Sequence, residues 1–372
     1  MKAQRACKVC GSIEIVSKTI GVCLGCLRER PDEAVAVAEM GHAYSRKLFN
    51  LPVKPPKTAG GIPCKLCAAE CVMADGEMGY CGIRGNRKGR MFSLTSPDSG
   101  LLHYYLDPHI TNCCNAYFCP AATGCGYPRY AYRRGAETGY YNLALFFYGC
   151  SLNCLFCQNW SHKRLAEAPT VDAQELVNVT LSNQLISCWC WFGGSAEPQL
   201  PFAIKASRLI AESKPSDRIV RICYEWNGDG DPALVKRAVE TVVETGGNVK
   251  FDLKAFNPAV HKALTGMDNG RILQNFEMVY RLFYDSRSDC PVLAATTLLV
   301  PGYVDAEEVE RIAEFIAGLD DRIPYSLLVF HPDFMLNDMP ITPFKQVAEC
   351  HRAALKHLQK VHLGNLHLLQ KM

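Results

Sequence analysis

From residue 141 onward, short apolar runs alternate with stretches in which apolar positions recur at helical spacing. The runs Leu143–Tyr148, Leu185–Phe192, Ile219–Tyr224, Val249–Leu253, Val292–Val300 and Tyr325–Phe330 predict strands. Between them, Asp231–Glu244 and Asp305–Leu319 carry helical patterns. Strands alternating with helices imply right-handed βαβ units and a parallel sheet, so the expected fold class is α/β. Such a sheet closes fully or partly into a barrel, and the loops at its strand C-terminal ends then carry the site.

Upstream the pattern changes. Pro31-Asp32-Glu33 opens a helix with acidic residues at the positive end of its dipole, and the helical stretch fades near Leu48. Leu51 to Gly61 contains three prolines and paired glycines, which break regular structure and mark a linker. Little periodicity survives from there to residue 140. The expected organisation is a segment 1–30, a helix and linker 31–62, a Cys-rich subdomain 63–140 and a barrel 141–372.

Composition narrows the class. A chain of 372 residues suits two or three domains, and 48% apolar against 21% charged residues is the balance of a globular protein. A net charge of +3 gives nucleic acid no footprint. With no leader-like start and no apolar run of about 18 residues, neither secretion nor a membrane is expected, and the chain reads as cytoplasmic. Twenty cysteines in such a chain point to metal or redox work, because cytosolic thiols are held reduced.

Cys7-x2-Cys10 and Cys23-x2-Cys26 form a zinc-ribbon-like pair of knuckles, stapling about 30 residues too few to bury a core. Cys64, Cys67, Cys71 and Cys81 form a second group, and Cys113, Cys114, Cys119 and Cys125 a third. Either group would suit zinc or an auxiliary iron–sulfur cluster, or consist of thiols packed as small hydrophobes.

The loop after the first strand reads Tyr148-Gly149-Cys150-Ser-Leu-Asn-Cys154-Leu-Phe-Cys157-Gln158-Asn159-Trp160. Three cysteines ligate three irons of a cubane and leave the fourth iron open to a non-protein ligand. This motif resembles that of the radical S-adenosylmethionine (SAM) superfamily, and the later strand ends resemble its activating-enzyme branch. Gly193-Gly194-Ser195-Ala196-Glu197-Pro198 resembles the glycine-rich segment that meets the SAM amino group, interrupted by Ser195-Ala196, which leaves open whether Glu197 or the backbone makes the contact. Glu225-Trp-Asn227-Gly, Asp252-Leu-Lys254, the run His261 to Asn275, His331-Pro332 and Gly364-Asn365 resemble further barrel positions of that branch.

The resemblance implies a partial (β/α)6-type radical SAM barrel. It implies a [4Fe-4S] cluster on Cys150, Cys154 and Cys157. It also places Tyr148, Asn159, Gly193, Gly194, Ser195, Glu225, Asn227, Asp252, Lys254, His331 and Asn365 as cofactor-binding residues. The expected reaction is reductive cleavage of SAM, fed by an electron donor, to a 5′-deoxyadenosyl radical that modifies a residue of a protein or peptide.

Among characterised relatives the layout is most similar to the methanogen cobalamin-dependent enzyme that C-methylates a glutamine in the α subunit of methyl-coenzyme M reductase. The barrel motifs alone also suit a glycyl-radical-enzyme activase. The usual cobalamin motif Asp-x-His-x-x-Gly is absent: its nearest approach, Asp107-Pro-His109, has Asn112 where the glycine belongs. A non-catalytic metal-binding scaffold would leave the strand-end matches unaccounted for.

Overall fold

The computed structural model describes residues 3–111, 113–288 and 290–371. Its centre is one nine-stranded sheet, with strands β1 (Ser99–Pro108), β2 (Tyr141–Phe147), β3 (Thr170–Asp172), β4 (Ile186–Gly193), β5 (Arg221–Trp226), β6 (Val249–Asp252), β7 (Leu293–Leu299), β8 (Tyr325–Val329) and β9 (Val361–Gly364). The spatial order is β9-β8-β7-β6-β5-β4-β2-β1-β3. The seven strands from β9 to β2 pair in parallel, and β1 and β3 add an antiparallel edge. Six of the seven parallel strands lie within two residues of the apolar runs that predict them. The α/β class with a parallel-rich sheet is thus present in the fold.

Among the described residues no strand pair closes the ring between its two edges. Yet Tyr105 and Asn142 at one end and His362 and Leu363 at the other line one cavity, so the sheet curls into a partial barrel. Strand period two decides which side chains face inward. On β4, Trp189 and Trp191 point out beneath the helices, where their indole N–H groups donate to Thr180 Oγ1 at 2.8 Å and Ser207 Oγ at 2.9 Å. Cys188 and Cys190 alternate with them and line the interior cavity.

The helices begin and end where backbone groups are capped. Asp231 accepts from the amides of Ala233 and Leu234 ahead of Pro232–Thr245, and Gly246, at φ 82°, closes that helix in the left-handed region. Helix Pro31–Lys47 matches its predicted extent.

The N-terminal segment is a hairpin (Gln4–Ala6 with Ile13–Ile15) and the short helix Leu24–Glu29. The stretch expected to be irregular holds two further hairpins, Ile62–Pro63 with Val72–Met73 and Arg84–Arg87 with Arg90–Ser93. It also contributes β1 to the main sheet, so that sheet starts at residue 99, upstream of the expected boundary at 141. No described helix is long and apolar enough to cross a membrane.

Candidate functional site

The site lies at the C-terminal ends of the parallel strands. The loop after β2 brings Cys150, Cys154 and Cys157 to a pocket of about 170 Å³. Asn159 from the same loop, Gly193 and Gly194 after β4, Asn227 after β5, Asp252 and Lys254 after β6, and Asn365 after β9 line the same pocket. Seven expected cofactor-binding residues therefore converge from five chain segments.

The remaining four stand elsewhere. Tyr148 turns away and packs its ring edge-on against His103 and Phe146. Ser195 is buried behind the pocket, its Oγ donating to Glu197 and accepting from the Asn227 amide at 3.4 Å. Glu225 lines the neighbouring cavity, paired with Lys250 at 3.2 Å. His331 lines neither cavity, and its Nδ1 lies 3.3 Å from the Pro332 carbonyl. Glu197 is also fully buried and off the pocket wall, so here it is backbone from the glycines, not this carboxylate, that borders the pocket.

Close approach explains the glycines. A Cβ on Gly194 would lie 2.1 Å from the Gly149 carbonyl oxygen, so only glycine lets this segment rest against the cysteine loop.

The Asn227 side chain ties the loop to Lys254. Its amide donates to Cys150 Sγ at 3.3 Å and Ser151 Oγ at 3.2 Å, and its carbonyl accepts from Lys254 Nζ at 2.9 Å. Asp252 lies between Lys250 at 2.9 Å and Lys254 at 3.1 Å. Burial pushes its carboxyl up, but the two ammonium groups outweigh burial and hold it at about 2.

Burial likewise pushes the thiols of Cys150 and Cys154 up to about 12 and Cys157 to about 11, with the Lys163 charge opposing. Thiols in that state stay protonated unless a cation replaces the proton. His162 Nδ1, buried on the pocket wall, has no hydrogen-bond partner among the described residues. Three converging thiols, an unpartnered ring nitrogen and a glycine cradle fit a cluster with three protein ligands and a polar small molecule beside it.

Behind the pocket Ser151 donates to Asp229 at 2.6 Å. Burial, then the Glu197 charge, raise the Asp229 carboxyl to about 8.

A larger cavity of about 670 Å³ adjoins the pocket and shares Gln158, Asn159, Lys250, Leu328 and Asn365 with it. Asp107 and His109 line it, while Asn112 lies outside the described residues. Cys113, Cys114 and Glu225 gather on its wall with ligand atoms within 4.8 Å of one another. Cys119 lines the cavity without joining that group, and Cys125 donates to the Phe118 carbonyl at 3.1 Å.

Lys163, Lys250, Cys188, Cys190 and Cys223 escape sequence reasoning. The i, i+2 cysteines of β4 were its one available signal, since period two puts both on one face.

Cys7, Cys10, Cys23 and Cys26 come within 4.8 Å of one another. The Cys7–Cys26 and Cys10–Cys23 sulfurs are 3.7 and 3.8 Å apart. A single tetrahedral ion with metal–sulfur bonds of about 2.3 Å requires sulfurs about 3.8 Å apart. Among the described residues, Cys64, Cys67, Cys71 and Cys81 do not gather in this way.

The family described as the radical SAM superfamily matches residues 145–316. A pyruvate formate-lyase-activating enzyme of Staphylococcus aureus is 30% identical over 203 residues, covering 50% of this chain and 73% of that enzyme. A solved domain of pyruvate-formate lyase-activating enzyme from Bacteroides vulgatus superposes with TM-score 0.37 and 20% identity, over 47% of this chain and 98% of that one. Streptococcus suis SuiB bound to precursor peptide SuiA superposes with TM-score 0.44 and 12% identity, over 60% and 48%.

Proposed function

Since the chain belongs to the radical SAM superfamily, we propose that it cleaves SAM reductively and uses the resulting radical to modify a residue of a protein or peptide. The observation that carries this is the convergence of Cys150, Cys154 and Cys157 with Asn159, Gly193, Gly194, Asn227, Asp252, Lys254 and Asn365 on one pocket. When bound, a [4Fe-4S] cluster and SAM supply a 5′-deoxyadenosyl radical that abstracts a hydrogen atom.

The chain's own residues do the rest. Cys150, Cys154 and Cys157 would hold the cluster through their three thiolates. The Gly193–Gly194 backbone and the polar side chains around it orient SAM, and Lys254, kept charged by Asp252, sets a positive field beside the thiolates. Phe156, Leu298 and Leu328 give part of the pocket wall an apolar face.

The finer reading is cobalamin-dependent C-methylation of a glutamine in the α subunit of methyl-coenzyme M reductase. Its support is the second cavity, of about 670 Å³ against 170 Å³, which shares five lining residues with the pocket and so sets a second binding space beside it. A glycyl-radical-enzyme activase is the second reading, favoured by the 30% identity to an enzyme named for that role. We assign the Cys7–Cys26 site to structural zinc from its sulfur spacing.

The test is anaerobic turnover of reconstituted protein with reductant, SAM, cobalamin and a glutamine-containing peptide of methyl-coenzyme M reductase, read by mass spectrometry. 5′-Deoxyadenosine with S-adenosylhomocysteine and a methylated peptide is the outcome expected. Deoxyadenosine alone, with or without cobalamin, transfers the assignment to the activase. Cys157→Ala should abolish SAM cleavage and keep the zinc; cleavage retained in that variant overturns the cluster assignment.

A further inference from the structure

Four thiols outside the pocket have no partner in the function above. Cys64, Cys67, Cys71 and Cys81 sit in one knot of chain around the hairpin Ile62–Pro63 with Val72–Met73. Cys67 and Cys71 are buried, Cys64 and Cys81 half-buried, and none forms a disulfide.

They are electrostatic neighbours. Burial raises each of Cys67, Cys71 and Cys81; at Cys67 the Asp229 charge adds next and then Cys81 and Cys71, while Cys81 and Cys64 add at Cys71 and Cys64 adds at Cys81. A backbone amide is aimed at one of the sulfurs, where Tyr80 N donates to Cys71 Sγ at 3.2 Å. Amides directed at sulfur are the arrangement that stabilises thiolate, and buried thiolates need a cation.

The chain supplies its own ruler for which cation. In the N-terminal ribbon all four sulfurs come within 4.8 Å, as one tetrahedral ion demands. Cys150, Cys154 and Cys157 are electrostatic neighbours of one another, yet do not form such a group. Thiols outside the reach of a single ion suit a cubane, whose corner irons hold their thiolates roughly 6 Å apart. Cys64, Cys67, Cys71 and Cys81 share the second signature, mutual influence without gathering inside 4.8 Å.

Position adds a role. A Cβ on Gly149, next to Cys150, would lie 3.4 Å from the Cys81 carbonyl oxygen. Arg46 donates to the Tyr80 carbonyl, and its charge interacts with both Cys81 and Cys150. On the other side Ala68 N donates to the Asp229 carbonyl at 2.8 Å, and Asp229 holds Ser151. The chain that carries Cys81 therefore packs directly against the loop that carries Cys150.

We propose that Cys64, Cys67, Cys71 and Cys81 hold a second, four-cysteine [4Fe-4S] cluster that relays an electron to the centre at Cys150, Cys154 and Cys157. The relay, though not the site, rests on the function proposed above. One electron leaves a reduced one-electron donor of the flavodoxin class, which is oxidised by one. It passes through the second cluster, which returns to its starting state, and leaves the first centre reduced by one, with no bond made or broken.

The experiment counts iron, sulfide and zinc in the anaerobically reconstituted full chain, with Mössbauer and EPR spectra. Wild type is expected to hold about eight irons and about one zinc, and C150A/C154A/C157A about four irons with a cubane spectrum. C67A/C71A should lose about four irons, keep the EPR signal that SAM perturbs, and be reduced by dithionite but far more slowly by flavodoxin.

About four irons with two zincs in wild type, or no iron in the triple variant, overturns the site. Unchanged reduction by flavodoxin in C67A/C71A overturns the relay. If C67A/C71A does not fold, the iron left in the triple variant decides the site, and flavodoxin's reduction of that iron decides the relay. Loss of SAM cleavage with eight irons intact would count against the proposed function and leave the site standing.

Discussion

Asn227 is the residue through which the cysteine loop, the Ser195 segment and Lys254 meet. Its N–H bond to Cys150 Sγ stabilises negative charge on that sulfur, so it favours a reduced cluster and raises its potential. Asn227→Ala should lower the potential in an EPR-monitored redox titration and cut SAM cleavage by about 10–100-fold, the usual cost of losing an outer-shell partner. A potential equal to wild type would remove Asn227 from this role.

Asp229, raised to about 8, gives a pH dependence of definite sign. Between its usual value of about 3.9 and the folded value, the folded state binds a proton that the unfolded state lacks, so stability falls as pH rises through that window. Asp229→Asn should flatten this slope, by at most about 1.4 kcal/mol per pH unit, in urea denaturations run across the window. A slope as steep as that of wild type would assign it to Glu197 instead.

At the scale of elements, the Cys-rich stretch before β2 is pinned to the sheet by a buried ion pair. Arg221 of β5 makes two bonds to Glu137, at 2.8 and 2.6 Å, and also donates to Ser187 of β4 and to the Tyr130 carbonyl. Both side chains are almost wholly buried. Glu137→Ala strands the guanidinium and should cost about 3–5 kcal/mol by chemical denaturation, whereas replacing both partners by apolar residues should cost much less. Equal costs would mean that packing, not charge, sets the value.

The same elements show what sequence can carry. The parallel strands are legible because burial on both faces writes them as continuous apolar runs, such as Leu143–Phe147. Strand β1 is not, because its second half lies half-exposed on the antiparallel edge and reads Tyr-Tyr-Leu-Asp-Pro. The short hairpins between residues 62 and 93 offer two to four residues each, too few for a period to register.

Across the whole molecule, the cysteine loop is legible because its ligands are local in sequence. Its surroundings come from strand ends up to about 200 residues away, and only the resemblance brings those together. Lys163 and Cys223 belong to no such motif, and only folding puts them on or beside the cavities.

The N-terminal ribbon is legible as a metal knuckle, but its docking is not. Arg28 reaches Asp305 at 2.8 Å, Glu307 at 3.0 Å and Glu308 at 3.2 Å, and Tyr303 Oη takes the Ser17 amide at 3.0 Å. Glu308, fully buried, also accepts from the amides of Phe256 and Asn257 at 2.9 and 3.0 Å, just past Lys254 of the pocket. The ribbon thus braces the loop that follows β6.

If metal binding folds the ribbon and the ribbon braces the barrel, the two must melt together. Cys23→Ala should then lose about one zinc and lower a single melting transition, by roughly 2–4 °C for each kcal/mol of bracing lost. The cluster spectra should not change, because no ribbon thiol lines the pocket. Two separate transitions, with the barrel's melting unmoved, would show instead that the ribbon is an independent module tethered to the barrel surface.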